Sequence, residues 1–128
     1  MTETVVQRSL WLACPFNLIA AFVFAFPSSG IGQRLGLPQS VSPLYLSLVS
    51  LFVGLFGLAY GWLARQPRID RPLLGFGSIG KFGAFLIALA LWFQGAVADV
   101  VVVVALGDLA FAALWFSWLL SSRDRHPA

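Results

Sequence analysis

The chain has few of the residues on which most enzymes and metal proteins rely. It contains one cysteine, Cys14, and one histidine, His126, among 128 residues. A single cysteine excludes a disulfide within the chain and any multi-cysteine metal site. The one histidine lies in the polar tail, which excludes a histidine-ligated haem inside an apolar segment. Because there is also no Ser-His-Asp set, carboxylate pair or metal-ligand cluster, we predict no catalytic residue, no metal and no cofactor.

Charged residues are equally scarce. They make up 10% of the chain, whereas 59% is hydrophobic and the mean hydropathy is +0.88. Ordinary soluble domains are about 25% charged, so this surface is expected to be solvated by lipid. The net charge of +3 does not indicate a nucleic-acid partner, because the basic residues lie at predicted helix ends, where membrane topology explains them.

Four long apolar segments account for most of the chain. They predict transmembrane helices over about residues 9–26, 43–64, 72–93 and 99–120. The first segment lacks a small-x-small cleavage site, so we expect a retained helix rather than a signal peptide. The predicted fold is all-α: one integral-membrane domain over residues 1–128, a four-helix bundle running antiparallel, up-down-up-down.

The arginines are distributed unevenly between the predicted loops. One side of the membrane would carry six of them and the other side only Arg34: the six are Arg8, Arg65, Arg68, Arg71, Arg123 and Arg125. Cytoplasmic loops are enriched in basic residues. The sequence therefore predicts a multi-pass protein of the cell's inner (plasma) membrane with both termini in the cytoplasm.

Three polar residues interrupt the apolar segments. At ~1.5 Å per residue, Asn17, Lys81 and Asp108 lie roughly 12–18 Å from the helix ends, near the middle of a ~30 Å bilayer core. Charges at that depth face other helices and have partners. We therefore predict a buried polar cluster of these three residues, which is either a structural ion pair or a binding site.

Small residues mark a face of the second predicted helix. A small-residue stripe recurs there at spacings of three and four: Ser47, Ser50, Gly54, Gly57 and Gly61. Gly77 and Gly80 add small positions to the third helix, beside Lys81. Such positions let helices approach closely in membranes, so we predict helix packing at all seven.

The same glycines fit two phosphate-binding patterns. Residues 75–80 match GxGxxG and residues 75–81 match GxxxxGK, but Phe82 stands where a magnesium-binding Ser or Thr is needed. Both motifs require a preceding strand, and here an Arg-Pro turn precedes them. We therefore predict packing rather than nucleotide binding.

The four-segment layout, GSIGK at residues 77–81 and GDLAF at residues 107–111 resemble the DoxX-like group of small bacterial membrane proteins. The resemblance implies a four-helix membrane domain and assigns no functional residue. Small multidrug transporters are similar in length, but they carry a glutamate in the first helix, where this chain has Asn17.

Three functions remain open on the sequence alone. The first, which the sequence favours, is a structural or accessory protein, surrounded by membrane lipids, that associates with itself or a larger complex through the small-residue stripe. The second is a carrier or channel that uses Lys81 and Asp108. The third is a binder of, or an enzyme acting on, a lipophilic molecule such as a quinone, a sterol-like compound or a lipid. The third requires a cavity beside the polar cluster, and its enzymatic version ranks last.

Overall fold

The computed structural model describes residues 2–123. These residues form helices and loops and no strand. The helices are α1 (Glu3–Ala25), α2 (Gly30–Arg34), α3 (Pro43–Arg65), α4 (Arg71–Phe93) and α5 (Asp99–Ser121). Four of them, α1, α3, α4 and α5, are long and apolar enough to cross a membrane, which supports a multi-pass membrane protein.

Helix α1 begins at Glu3, six residues before the predicted start at Ser9. Hydropathy misplaced this boundary because residues 3–8 are mostly polar. Tertiary contacts stabilise the added turns: Glu3 Oε1 accepts a hydrogen bond of 2.9 Å from the Ile69 N–H, and Gln7 Nε2 donates one of 3.2 Å to the Gln66 carbonyl. The other three long helices differ from the predicted bounds by one residue at an end.

The long helices pack as two pairs. Helix α1 lies against α3 along its length, and α4 lies against α5. Contact between the pairs is sparse, since α1 meets α5 and α3 meets α4 at only a few positions. Large side chains fill part of the space between the two pairs, and the rest of that space is a cavity lined by all four long helices.

Glycines bring α1 and α3 together. A Cβ on Gly57 would lie 3.0 Å from the Asn17 Cβ and 3.1 Å from the Cys14 carbonyl oxygen. One turn further, a Cβ on Gly61 would lie 3.1 Å from the Cys14 sulfur. A Cβ at Gly57 would force its neighbours to shift by a few tenths of an ångström, and one of these neighbours is backbone, so glycine favours the close approach.

The start of α1, the α3–α4 loop and the end of α5 meet at what we call the arginine-rich end. Arg71 donates hydrogen bonds to Ser122 Oγ and, over 2.6 Å, to the Leu119 carbonyl. Its guanidinium also lies 5.3 Å from the centre of the Trp118 ring. A cation that binds the last carbonyls of a helix favours the helix end, so Arg71 fixes α5 against α4.

The tightest packing is in the half of the bundle nearest this end. Its largest fully buried side chains are Trp115, Leu10, Leu63, Leu74, Val6 and Ser78. The Trp115 indole donates a hydrogen bond of 2.8 Å to Ser9 Oγ and its ring centre lies 5.1 Å from that of Tyr60. The half of the bundle away from the arginine-rich end is more open.

A short helix, α2, lies in the α1–α3 connector, outside the four helices that the sequence predicts. Ser29 Oγ accepts a hydrogen bond of 3.2 Å from the Gly32 N–H at its start. The helix ends at Arg34, and two residues later Gly36 has a φ of +68°, which suits glycine. The Leu37 N–H then donates a hydrogen bond of 3.0 Å to the Gly32 carbonyl. This turn places Leu35 and Leu37 against the open half of the bundle.

Candidate functional site

The three polar side chains predicted to cluster meet between the two helix pairs. Lys81 Nζ on α4 donates a hydrogen bond of 2.6 Å to Asn17 Oδ1 on α1 and one of 2.7 Å to Asp108 Oδ1 on α5. Lys81 is 4% exposed and Asp108 is 17% exposed. One lysine therefore links three helices through two hydrogen bonds, one of which is an ion pair.

Asn17 is oriented by a backbone carbonyl of the neighbouring helix. Its Nδ2 donates a hydrogen bond of 3.1 Å to the Val53 carbonyl on α3. The side-chain oxygen is thereby directed toward Lys81. The close approach of α1 and α3 at Gly57, whose Cβ position borders Asn17, holds this amide in place.

Aromatic rings surround the ammonium group. Lys81 Nζ lies 4.6 Å from the ring centre of Phe16, 5.3 Å from that of Phe111 and 5.4 Å from that of Tyr60. Phe16 and Phe111 contact each other edge to face at 5.9 Å. A cation over ring faces gains electrostatic stabilisation of about 2 kcal/mol or more where water is excluded, so the rings replace part of the ammonium's hydration.

Tyr60 is not part of the predicted polar cluster, and the structure buries it at 2% exposure beside Lys81. Phe16 and Phe111 were not predicted at all. Phe16 is adjacent to Asn17, and Phe111 lies three residues after Asp108 on the same helix face. This spacing was the signal in the sequence that could have placed both rings near the polar cluster.

A cavity of about 350 Å³ opens beside the polar cluster, with walls from all four long helices. Asn17, Lys81, Asp108 and Tyr60 form its polar side. The remaining lining is apolar and includes Phe24 on α1, Phe52 on α3, Ala84 and Ala88 on α4 and Val104 on α5. Leu35 and Leu37 cover it from the α2 connector. The cavity is therefore an apolar chamber with one hydrogen-bonding wall.

A second cavity, of about 250 Å³, lies between α3 and α4. It shares Phe52, Phe56 and Tyr60 with the first. The Phe56 ring stacks on Phe76 with a centre-to-centre distance of 5.6 Å and an interplanar angle of 14°. Phe52, Phe56 and Tyr60 therefore border both cavities, which lie next to each other.

The small-residue stripe is used mainly within the chain. Gly54, Gly57 and Gly61 face α1, with a Cβ on Gly54 coming within 3.6 Å of Ala21. Ser50 Oγ is enclosed without a hydrogen-bond partner among the described residues, while Ser47 Oγ, on an exposed residue, donates to the Pro43 carbonyl over 2.7 Å.

Gly77 and Gly80 face aromatic side chains of α3. A Cβ on Gly77 would lie 2.9 Å from Tyr60 Cε1, and one on Gly80 would lie 3.7 Å from Phe56. Residues 75–81 all lie inside α4, so their glycines form no phosphate-binding loop. No group of three or more potential metal ligands occurs in residues 2–123, and His126 lies outside the described residues.

Comparisons with protein-family models, with curated proteins and with solved structures found no match for the chain. The resemblance to the DoxX-like group therefore stays a prediction. The function is inferred from the geometry of the polar cluster and the cavity.

Proposed function

We propose that the protein binds a lipophilic small molecule with a polar head group inside the membrane. The observation that carries this proposal is the apolar cavity of about 350 Å³ with Lys81, Asn17 and Asp108 on one side. Ligand sites are typically ~300–1,000 Å³, mainly apolar, with a few convergent polar groups. Both the size and the distribution of polarity match that description.

The position of the polar cluster at the cavity supports binding beyond a purely structural role. Lys81 is enclosed, at 4% exposure, but Asp108 is 17% exposed and both residues line the cavity. Ionisable groups at membrane depth that border a cavity commonly mark a ligand or ion pathway. A binding protein uses the same ion pair for packing and for contact with the head group.

The accessory role is less well supported. It depended on a small-residue stripe free to contact another protein, yet Gly54, Gly57 and Gly61 pack against α1 of the same chain. A homo-oligomer or a larger membrane complex stays a prediction, as does a carrier that moves the bound molecule. We rank the binding protein first because the cavity is its specific requirement.

For the topology, we propose helices that cross a bacterial inner membrane in alternating directions, with both termini cytoplasmic. Contacts of Glu3 with Ile69 and of Arg71 with Ser122 support this arrangement, since they join the start of α1, the α3–α4 loop and the end of α5. The arginine-rich end would face the cytoplasm, and Arg34 would lie on the opposite side.

A thermal-shift experiment tests the proposed binding. Lipid extract from the native membrane, added to delipidated protein, is expected to raise the Tm and to saturate, because a ligand at ~100 Kd stabilises the folded state by about 2.7 kcal/mol. Ala84→Phe fills the cavity and is expected to abolish the shift. The matched control is Ala90→Phe, at an exposed α4 position outside both cavity linings.

Lipid extract is expected to raise the Tm of the Ala90→Phe control by as much as that of the wild type. An identical shift in Ala84→Phe would mean that lipids stabilise the outer surface rather than the cavity, and would contradict the proposal. The absence of any shift in the wild type would also contradict it.

A further inference from the structure

The hydrogen-bonding positions left free at the cavity restrict the chemistry of the head group. Asp108 uses Oδ1 for Lys81, and its second oxygen, Oδ2, accepts no hydrogen bond from residues 2–123. The Tyr60 hydroxyl likewise has no partner in the described part of the chain, although Tyr60 is only 2% exposed. Neither atom is among the enclosed side-chain atoms that lack a partner in residues 2–123, and both residues line the cavity. These two positions are therefore accessible to a hydrogen-bonding group of a ligand.

Lys81 adds a free donor. An ammonium group has three N–H donors, and Lys81 uses two, toward Asn17 and Asp108. The cavity therefore offers N–H and O–H donors from Lys81 and Tyr60 beside one acceptor-only oxygen, Asp108 Oδ2. A complementary head group must both accept and donate.

The charge of the site excludes an ionised head group. Lys81 and Asp108 neutralise each other at 2.7 Å. An added carboxylate or phosphate would lie against the unpaired oxygen of Asp108, and an added ammonium would lie against Lys81. In an apolar chamber either arrangement would leave one charge without compensation, which is costly.

We propose that the head group is an uncharged hydroxyl, on an alcohol or a phenol, attached to a long apolar body. The hydroxyl oxygen accepts from Lys81 or Tyr60, and its O–H donates to Asp108 Oδ2. This inference rests on the proposed function, because it specifies the ligand of the same cavity. An ether, an ester or a ketone can accept but not donate, so each leaves the Asp108 oxygen unpaired.

The experiment compares head groups on one chain length. Tritiated hexadecanol is bound to delipidated protein and displaced by unlabelled hexadecanol, by methyl hexadecyl ether or by ionised hexadecanoate. Hexadecanol is expected to compete at least about tenfold better than the ether and the carboxylate. Neither of these competitors can donate a hydrogen bond to Asp108 Oδ2, so each leaves that oxygen unpaired. Tyr60→Phe is expected to weaken hexadecanol several-fold while retaining its advantage over the ether, since Asp108 still requires a donor.

The outcomes separate the two proposals. If hexadecanol binds and Ala84→Phe abolishes that binding, but the ether or hexadecanoate competes equally well, the hydroxyl inference is wrong and the cavity remains a binding site. If hexadecanol binding is unchanged in Ala84→Phe, the proposed function itself fails. Loss of the alcohol's advantage in Tyr60→Phe would also overturn the role assigned to Asp108.

Discussion

Replacing Asp108 with asparagine is expected to destabilise the folded protein by about 3–5 kcal/mol, because it leaves the Lys81 ammonium charged, 4% exposed and without a counter-ion. Asn17 and the three aromatic rings remain, but neither an amide oxygen nor a ring face neutralises a full charge. Thermal or denaturant unfolding in detergent measures the loss. If Asp108→Asn and the control below unfold at the same temperature, the ion pair contributes nothing to the fold.

The matched control is Asp99→Asn at the start of α5. Asp99 is exposed and accepts a hydrogen bond of 2.7 Å from the Trp92 indole, which an asparagine oxygen also accepts. Surface changes of this kind stay within about 0.5 kcal/mol. The double variant Lys81→Met/Asp108→Leu is expected to recover most of the stability, because an apolar pair removes both charges together.

The second large effect is expected from Gly57→Leu. A Cβ there already lies 3.0–3.1 Å from Asn17 and from the Cys14 carbonyl, so a leucine side chain must push α1 away from α3. We expect a loss of about 3 kcal/mol, at the upper end of overpacking effects, together with displacement of Asn17 from Lys81. The same unfolding measurement detects the loss, and reduced binding in the cavity reports the displacement.

The control for this variant is Gly83→Leu on α4, where a Cβ has no atom within 4 Å. Replacing a helical glycine at an open position is expected to be neutral or to stabilise by up to about 1 kcal/mol. Wild-type stability in Gly57→Leu would show that α1 and α3 do not approach as closely as the structure indicates.

The sequence predicted the parts of this structure that depend on hydropathy and on charge. Long apolar runs located the four long helices, because a bilayer selects for length and composition. Depth along each helix predicted that Asn17, Lys81 and Asp108 would lie at one level, and the structure brings them within hydrogen-bond distance. Small residues at helical spacing indicated close packing, but not that α1 would be the neighbour.

Other features could not be predicted because lipid-facing and core-facing side chains are equally apolar. Phe22 is 60% exposed and Val23 is 5% exposed, yet no polarity difference separates them. The aromatic rings around Lys81 and the cavity itself depend on how far apart the two helix pairs lie, which is a tertiary property. The cover from Leu35 and Leu37 depends on one glycine turn in a segment without periodicity.

Native mass spectrometry of the protein, extracted gently from its own membrane, tests the central claim most directly. The account predicts a co-purifying molecule of lipid-like mass whose fragments contain a free hydroxyl, present in the wild type and in Ala90→Phe and absent from Ala84→Phe. Wild-type protein that carries no small molecule would contradict the account. So would an Ala84→Phe variant that carries as much of the molecule as the wild type. The ion pair of Lys81 and Asp108 would then serve only to hold the helices together.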